Sequence, residues 1–176
     1  DRPVNASGAY LFTTAERARD MKQPPVYILN HSQHNFSTRS TQPTLDEIED
    51  WTDRAASRMY EGAGLGPEDV DIFNPYDGYA TMSQFYLEAF QWHGVKRGDA
   101  FAFYAGDIRV EGPHPLSSSG GNLGNGRTRA AMYTDSIEQL RGAAGPRQVQ
   151  VRCETALAAF STPPSGGWIM FGKHPS

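Results

Sequence analysis

Cysteine is almost missing: Cys153 is the only one in 176 residues. A single thiol excludes an intramolecular disulfide framework and a cysteine-rich zinc site. Basic charge is also short. Lys and Arg number 16 against 20 Asp and Glu, a net charge of −4. No positive field exists to hold a phosphate backbone, so nucleic acid is not an expected partner. No apolar run approaches the ~18–20 residues of a membrane span, and no signal peptide opens the chain. The expectations are no membrane span and a cytoplasmic location. An initiator Met is lacking too. The chain opens Asp1-Arg2-Pro3-Val4 and soon enters the apolar stretch Gly8-Ala9-Tyr10-Leu11-Phe12. From this we expect that an upstream part is missing or is a separate piece.

Apolar side chains are plentiful. At 38% hydrophobic and 11% aromatic, the composition is globular and the length suits one core. Residues 8–13 read as a short buried strand, and Thr14 as the cap of a helix over 15–21 that Pro24-Pro25 ends. Val26–Leu29 is a central-strand candidate, and His31–Thr44 a polar loop. Leu45, Ile48, Trp51, Ala55 and Met59 recur at helical spacing. Thr44 with Glu47 makes a capping box for that helix, and Gly62, Gly64 and Gly66 end it. Strands follow at 70–73, 148–160 and 168–171, and helices at 81–92 and 129–141. Residues 94–115 read as loops and short extended pieces, and 117–126 as a small-residue loop. Strands alternating with helices give an α/β chain with a mixed sheet.

Four stretches carry a family resemblance. Ala15–Asp20 with Gln23–Ile28 looks like the junction between the halves of sterol-carrier-type thiolases. Gly64–Asp71 resembles their A-G-L-P-E-D-V-D segment. Pro75-Tyr76-Asp77-Gly78-Tyr79 sits where they carry H-D-C-F or Y-D-x-F. Ser119–Leu123, with Glu138–Gly142 and Arg147–Val149, resembles their Gly-Gly loop and the helix after it. The resemblance implies the second half of a thiolase-like fold, a mixed five-stranded sheet layered with helices. It places the end of the first half at 1–25 and the C-terminal domain at 26–176.

The residues thiolases use for acyl transfer do not match. The histidine position of the Gly-rich loop falls on Arg127, which stays protonated and cannot act as a general base. The C-x-G region reads Phe160-Ser161-Thr162-Pro163-Pro164, without cysteine. Cys153 lies upstream and reads as a structural thiol. The resemblance extends to thiolase-like aldolases of steroid side-chain breakdown. Their retro-aldol cleavage of a β-hydroxyacyl-CoA needs acid–base groups and oxyanion donors but no acyl-enzyme. The tyrosine of their Y-D-x-F motif maps onto Tyr76, with Asp77 beside it; a second tyrosine would fall at Gly126 and is absent. Arg127, Asn125 and Tyr133 are possible substitute donors.

The catalytic candidates are therefore Tyr76, Asp77 and Arg127. Ser119, Gly120, Gly121, Asn122 and Asn125 are the candidate contacts to the thioester, with His114 as a reserve base. Each has a plainer reading: Tyr76 packing at a strand end, Asp77 capping a helix, Arg127 pairing with an acid. His31 and His34, three apart with no carboxylate cluster, are not expected to hold metal. Coenzyme A is expected only as part of the substrate, with no other cofactor. Family relatives imply a thiolase-like dimer and a small OB-fold partner. The leading function is a carbon–carbon lyase for a steroid or other bulky acyl-CoA. The alternatives are a non-catalytic acyl-CoA or lipid-binding protein and a divergent thiolase or acyltransferase.

Overall fold

The computed structural model describes residues 2–35, 43–128, 130–160, 162–163 and 165–175. Part of the loop expected before residue 44, the helix start at Arg129, Ser161 and Pro164 lie outside the described residues.

Strand β1 (Tyr27–Asn35) leads into helix α2 (Leu45–Ala63). The α2 capping box forms: the Glu47 N–H donates to Thr44 Oγ1 at 3.3 Å, and the Thr44 N–H donates to Glu47 Oε2 at 2.9 Å. Gly64 closes the helix at φ 66°, a left-handed value that glycine adopts without strain. The fully buried β2 (Ile72–Asn74) and helix α3 (Ala80–Ala89) follow. Two short helices, α4 (Ala100–Tyr104) and α5 (Gly121–Asn125), stand in the segments expected as loops. Helix α6 (Ala131–Leu140) precedes the antiparallel pair β3 (Thr155–Ala159) and β4 (Ser165–Gly172). A short helix at Ala15–Arg19, capped by Thr14, is α1.

The sheet is mixed, in the order β1-β4-β3-β2. Strands β2 and β3 are parallel, and β4 is antiparallel to β3 and β1. Trp168 of β4 packs on Tyr86 of α3 and on Phe90 at its carboxyl cap, whereas Phe171 meets Tyr133 of α6. Side chains three apart on a strand face opposite ways. Hence α2 and α3 cover one face of the sheet and α6 the other.

Several expectations need correction. Among the described residues the sheet has four strands, not five. Where a fifth would pair beside β2, only an isolated parallel bridge, Phe73 to Leu116, forms. Pro113 and Pro115 lack backbone N–H groups and cannot extend that pairing. The 26–29 segment begins an edge strand rather than a central one, and β1 runs on through the polar residues His31–Asn35. Polar alternation suits an edge and not a core, which hid the strand's length. Residues 8–13 form no strand; Leu11 and Phe12 are exposed. Of the extended stretch 148–160, only 155–159 is strand. Among the described residues no helix is long and apolar enough to cross a membrane.

Candidate active site at the carboxyl end of the sheet

In open α/β sheets the loops beyond the carboxyl ends of parallel strands form the usual ligand crevice. Here β2 delivers Asn74 to that edge, and the motif Pro75–Tyr79 follows it. Asn74 is fully buried and works as a clamp. Its Oδ1 accepts the Ser119 N–H at 3.2 Å, and its Nδ2 donates to Ser136 Oγ at 3.1 Å and Asp135 Oδ2 at 3.3 Å. Asp135, also buried, takes the Ser118 hydroxyl at 2.6 Å and pairs with Arg147. The Ser117 N–H donates to the Phe73 carbonyl at 3.0 Å. These bonds tie the Gly-rich loop to β2 and α6.

Asp77 reaches across to α5. Its carboxylate accepts the Asn122 N–H at 2.6 Å and the Leu123 N–H at 3.3 Å. These are orphan donors of a helix's first turn, so Asp77 acts as its cap. A Cβ at Gly121 would collide with the carboxylate, and φ there is 57°. Tyr76 is buried, and its hydroxyl lies over Gly78 so closely that a side chain there would strike it. Asn122 is fully buried, yet among the described residues neither its Nδ2 nor its Oδ1 has a hydrogen-bond partner. Such a group costs roughly 1–3 kcal/mol unless something binds it.

Tyr76, Asp77, Ser119, Gly120, Gly121 and Asn122 thus meet in one place. Asn125 is exposed at the end of α5. Arg127 is half-buried, and its N–H donates to the Arg2 carbonyl at 2.9 Å. At Gly126 a Cβ would lie 2.8 Å from Val4 Cγ1. His114 is not part of the group. Its ring packs at a tilt against His93, with centroids 4.4 Å apart, and Phe103, 5.6 Å apart. His93 lines a cleft of about 650 Å³ at the amino end of β2, with Asp71, Pro113 and Arg152. Cys153 also lies at the amino end, just before β3. Burial pushes its thiol up to about 11, with Lys173 opposing. His31 and His34 project to opposite faces of β1, so they cannot share a ligand.

The sequence reading missed two groups here. The Asn74–Asp135 network had a signal: Met132, Asp135, Ser136 and Gln139 share one helical face, and an Asp among inward positions calls for partners. The other is a hydroxyl pair, Ser83 on α3 and Tyr104 on α4, 2.5 Å apart. Its only signal was Phe101 and Tyr104 at helical spacing in a segment taken for loop.

Comparison with known proteins agrees with this architecture. The family model for thiolase C-terminal domain-like proteins matches residues 32–166, and the chain belongs to that family. It is 30% identical over 165 residues to the 17-hydroxy-3-oxo-4-pregnene-20-carboxyl-CoA lyase of Mycobacterium tuberculosis, covering 90% of this chain and 42% of the lyase. It is 29% identical to the acetyl-CoA acetyltransferase of Methanothermobacter thermautotrophicus over 83% of this chain and 39% of that protein. Rat sterol carrier protein 2 is 35% identical over 57% of this chain and 19% of its own length. The solved Ltp2–ChsH2(DUF35) aldolase superposes with a TM-score of 0.74 at 23% identity, covering 90% of this chain and 42% of that one. The chain therefore spans less than half the length of the relatives it matches.

Proposed function

We propose that this chain is the C-terminal, thiolase-like part of an acyl-CoA carbon–carbon lyase. The observation that carries the reading is the state of the acyl-transfer groups. Arg127 stands where the resemblance places histidine, and the one thiol is protonated at the wrong end of β3. The five residues of β3 rise roughly 16 Å between Cys153 and the Tyr76–Asp77 edge. An acyl-enzyme on Cys153 would be out of reach. The resemblance places the family's nucleophilic cysteine upstream of Asp1, and Arg127 cannot activate it as the histidine would, whereas retro-aldol cleavage needs no acyl-enzyme.

In that reaction a base takes the β-hydroxyl proton and the Cα–Cβ bond breaks. A ketone forms, and the released electron pair becomes the enolate of the shorter thioester, which is then protonated at Cα. Tyr76 is the acid–base candidate. Asp77 holds α5 in place, and Asn122 offers an unspent amide to the thioester. No cofactor is needed beyond the coenzyme A of the substrate. The named lyase and the Ltp2–ChsH2(DUF35) aldolase support a bulky, steroid-like acyl group and a DUF35-type partner; the family resemblance adds a thiolase-like dimer and an OB fold for that partner. One observation favours a second reading, acyl-CoA binding without catalysis: the Tyr76 hydroxyl is tucked over Gly78 rather than open.

The test takes the complete polypeptide with any subunit that copurifies. It is offered 17-hydroxy-3-oxo-4-pregnene-20-carboxyl-CoA, and separately acetyl-CoA with labelled CoA. The lyase reading expects release of the 17-ketone and no acetyl exchange, with Cys153→Ala unchanged. Binding without cleavage supports the second reading; exchange abolished by Cys153→Ala defeats both.

A further inference from the structure

Helix α3 starts directly after the Tyr76–Tyr79 motif, so its first turn borders the candidate site. Ser83 lies in that turn and is buried. Its hydroxyl is 3.3 Å from the Ala80 carbonyl and 2.5 Å from the hydroxyl of Tyr104. Tyr104 is half-buried at the end of α4. Burial raises its pKa above the ordinary phenol value; the Ser83 hydrogen bond opposes this and the nearby Asp77 carboxylate adds to it. The phenol therefore remains protonated, as a proton donor must. The same elements carry uncovered apolar side chains. Tyr79 at the start of α3, Phe101 one turn before Tyr104, and Leu123, whose N–H Asp77 accepts, are exposed by 59%, 74% and 52%. A polar pair held by elements with exposed apolar side chains suits a substrate with a bulky apolar body and one reacting polar end.

We propose that Tyr104, oriented by Ser83, donates the proton that the enolate takes up, supplying the second phenol that Gly126 cannot. This rests on the lyase reading above. Ser83 has one proton and two acceptors. Turned toward Ala80, it accepts from Tyr104 and fixes the phenol. Turned toward Tyr104, it releases the phenol's own proton outward. During cleavage the base holds the β-hydroxyl proton, the Cα–Cβ pair becomes the enolate, and the Tyr104 proton passes to Cα. The Ser83 proton then moves to the phenolate oxygen, and Ser83 regains one from the base through water. The proton count closes with no other reactant.

Tyr104→Phe, Ser83→Ala and Ser83→Thr in the complete polypeptide test the pair, using the same steroid hydroxyacyl thioester. Loss of a positioned acid costs about 10²–10⁴-fold in rate. Tyr104→Phe is expected to lower kcat within that range while KM and melting temperature hold. Ser83→Ala should lower kcat less, and Ser83→Thr, which keeps the hydroxyl, should restore it. A Tyr104→Phe protein that cleaves at the wild-type rate overturns the proposal and leaves the lyase reading intact. So does a loss of rate that merely tracks a loss of melting temperature in all three variants. Wild-type protein that cleaves nothing removes the lyase reading and the pair's role together.

Discussion

Gly121 is where the candidate site is least tolerant of change. Its φ of 57° and the Asp77 carboxylate pressed against its α-carbon both exclude a side chain. Gly121→Ala should cost about 1–3 kcal/mol, read as a lower melting temperature. His93 gives a second test. Burial lowers its pKa below 6.5, the neighbouring His114 lowers it further, and Asp71 opposes. The unfolded chain then binds a proton at a pH where the folded one does not, so folding stability falls as pH drops below 6.5. Melting temperatures between pH 7.5 and about 5 should fall more steeply for wild type than for His93→Gln. Glu68 and Arg152 line the same cleft.

At the scale of elements, α2 shows what a sequence pattern captures. Its apolar spacing and its Thr44–Glu47 box lie within one contiguous stretch; the box forms, and Ile48, Trp51, Ala55 and Met59 are buried as expected, while Leu45 in the first turn is exposed. Thr44→Ala should remove that cap at a cost of about 1 kcal/mol, measured by thermal or urea unfolding. The β3 and β4 cores were equally legible, because apolar runs such as Ala156–Ala159 and Trp168–Phe171 leave few alternatives. Legibility failed where long-range partners decide. The polar half of β1 is strand because β4 pairs with it. The Leu116 segment fails to be one because two prolines interrupt it. Helix α5 exists because Asp77, 44 residues before Gly121, caps it. Of the candidate site, the motif residues were visible in sequence; the Asn74–Asp135 clamp and the Ser83–Tyr104 pair were not, since each joins residues from different elements.

For the whole molecule, the carboxyl edge of the sheet holds the loops, the unpartnered Asn122 and the hydroxyl pair. The amino edge holds Cys153, the His93–His114 pair and the cleft. The two edges differ in chemistry as well as position. Substitutions at Cys153 or His114 should therefore alter stability before they alter turnover.

The contact between Val4 and Gly126 bears on how such a chain can change over generations. Gly126 has φ 84° and ψ 160°, a region populated almost only by glycine. Arg2 and Pro3 are zipped to Arg127 beside it. A tyrosine placed at position 126 would meet Val4 and an unsuitable backbone at once. Val4 is itself 42% exposed, so trimming it would open that space to solvent and remove the steric block. The backbone at 126 would still exclude a side chain. Relieving the clash alone therefore does not make this position accept a phenol.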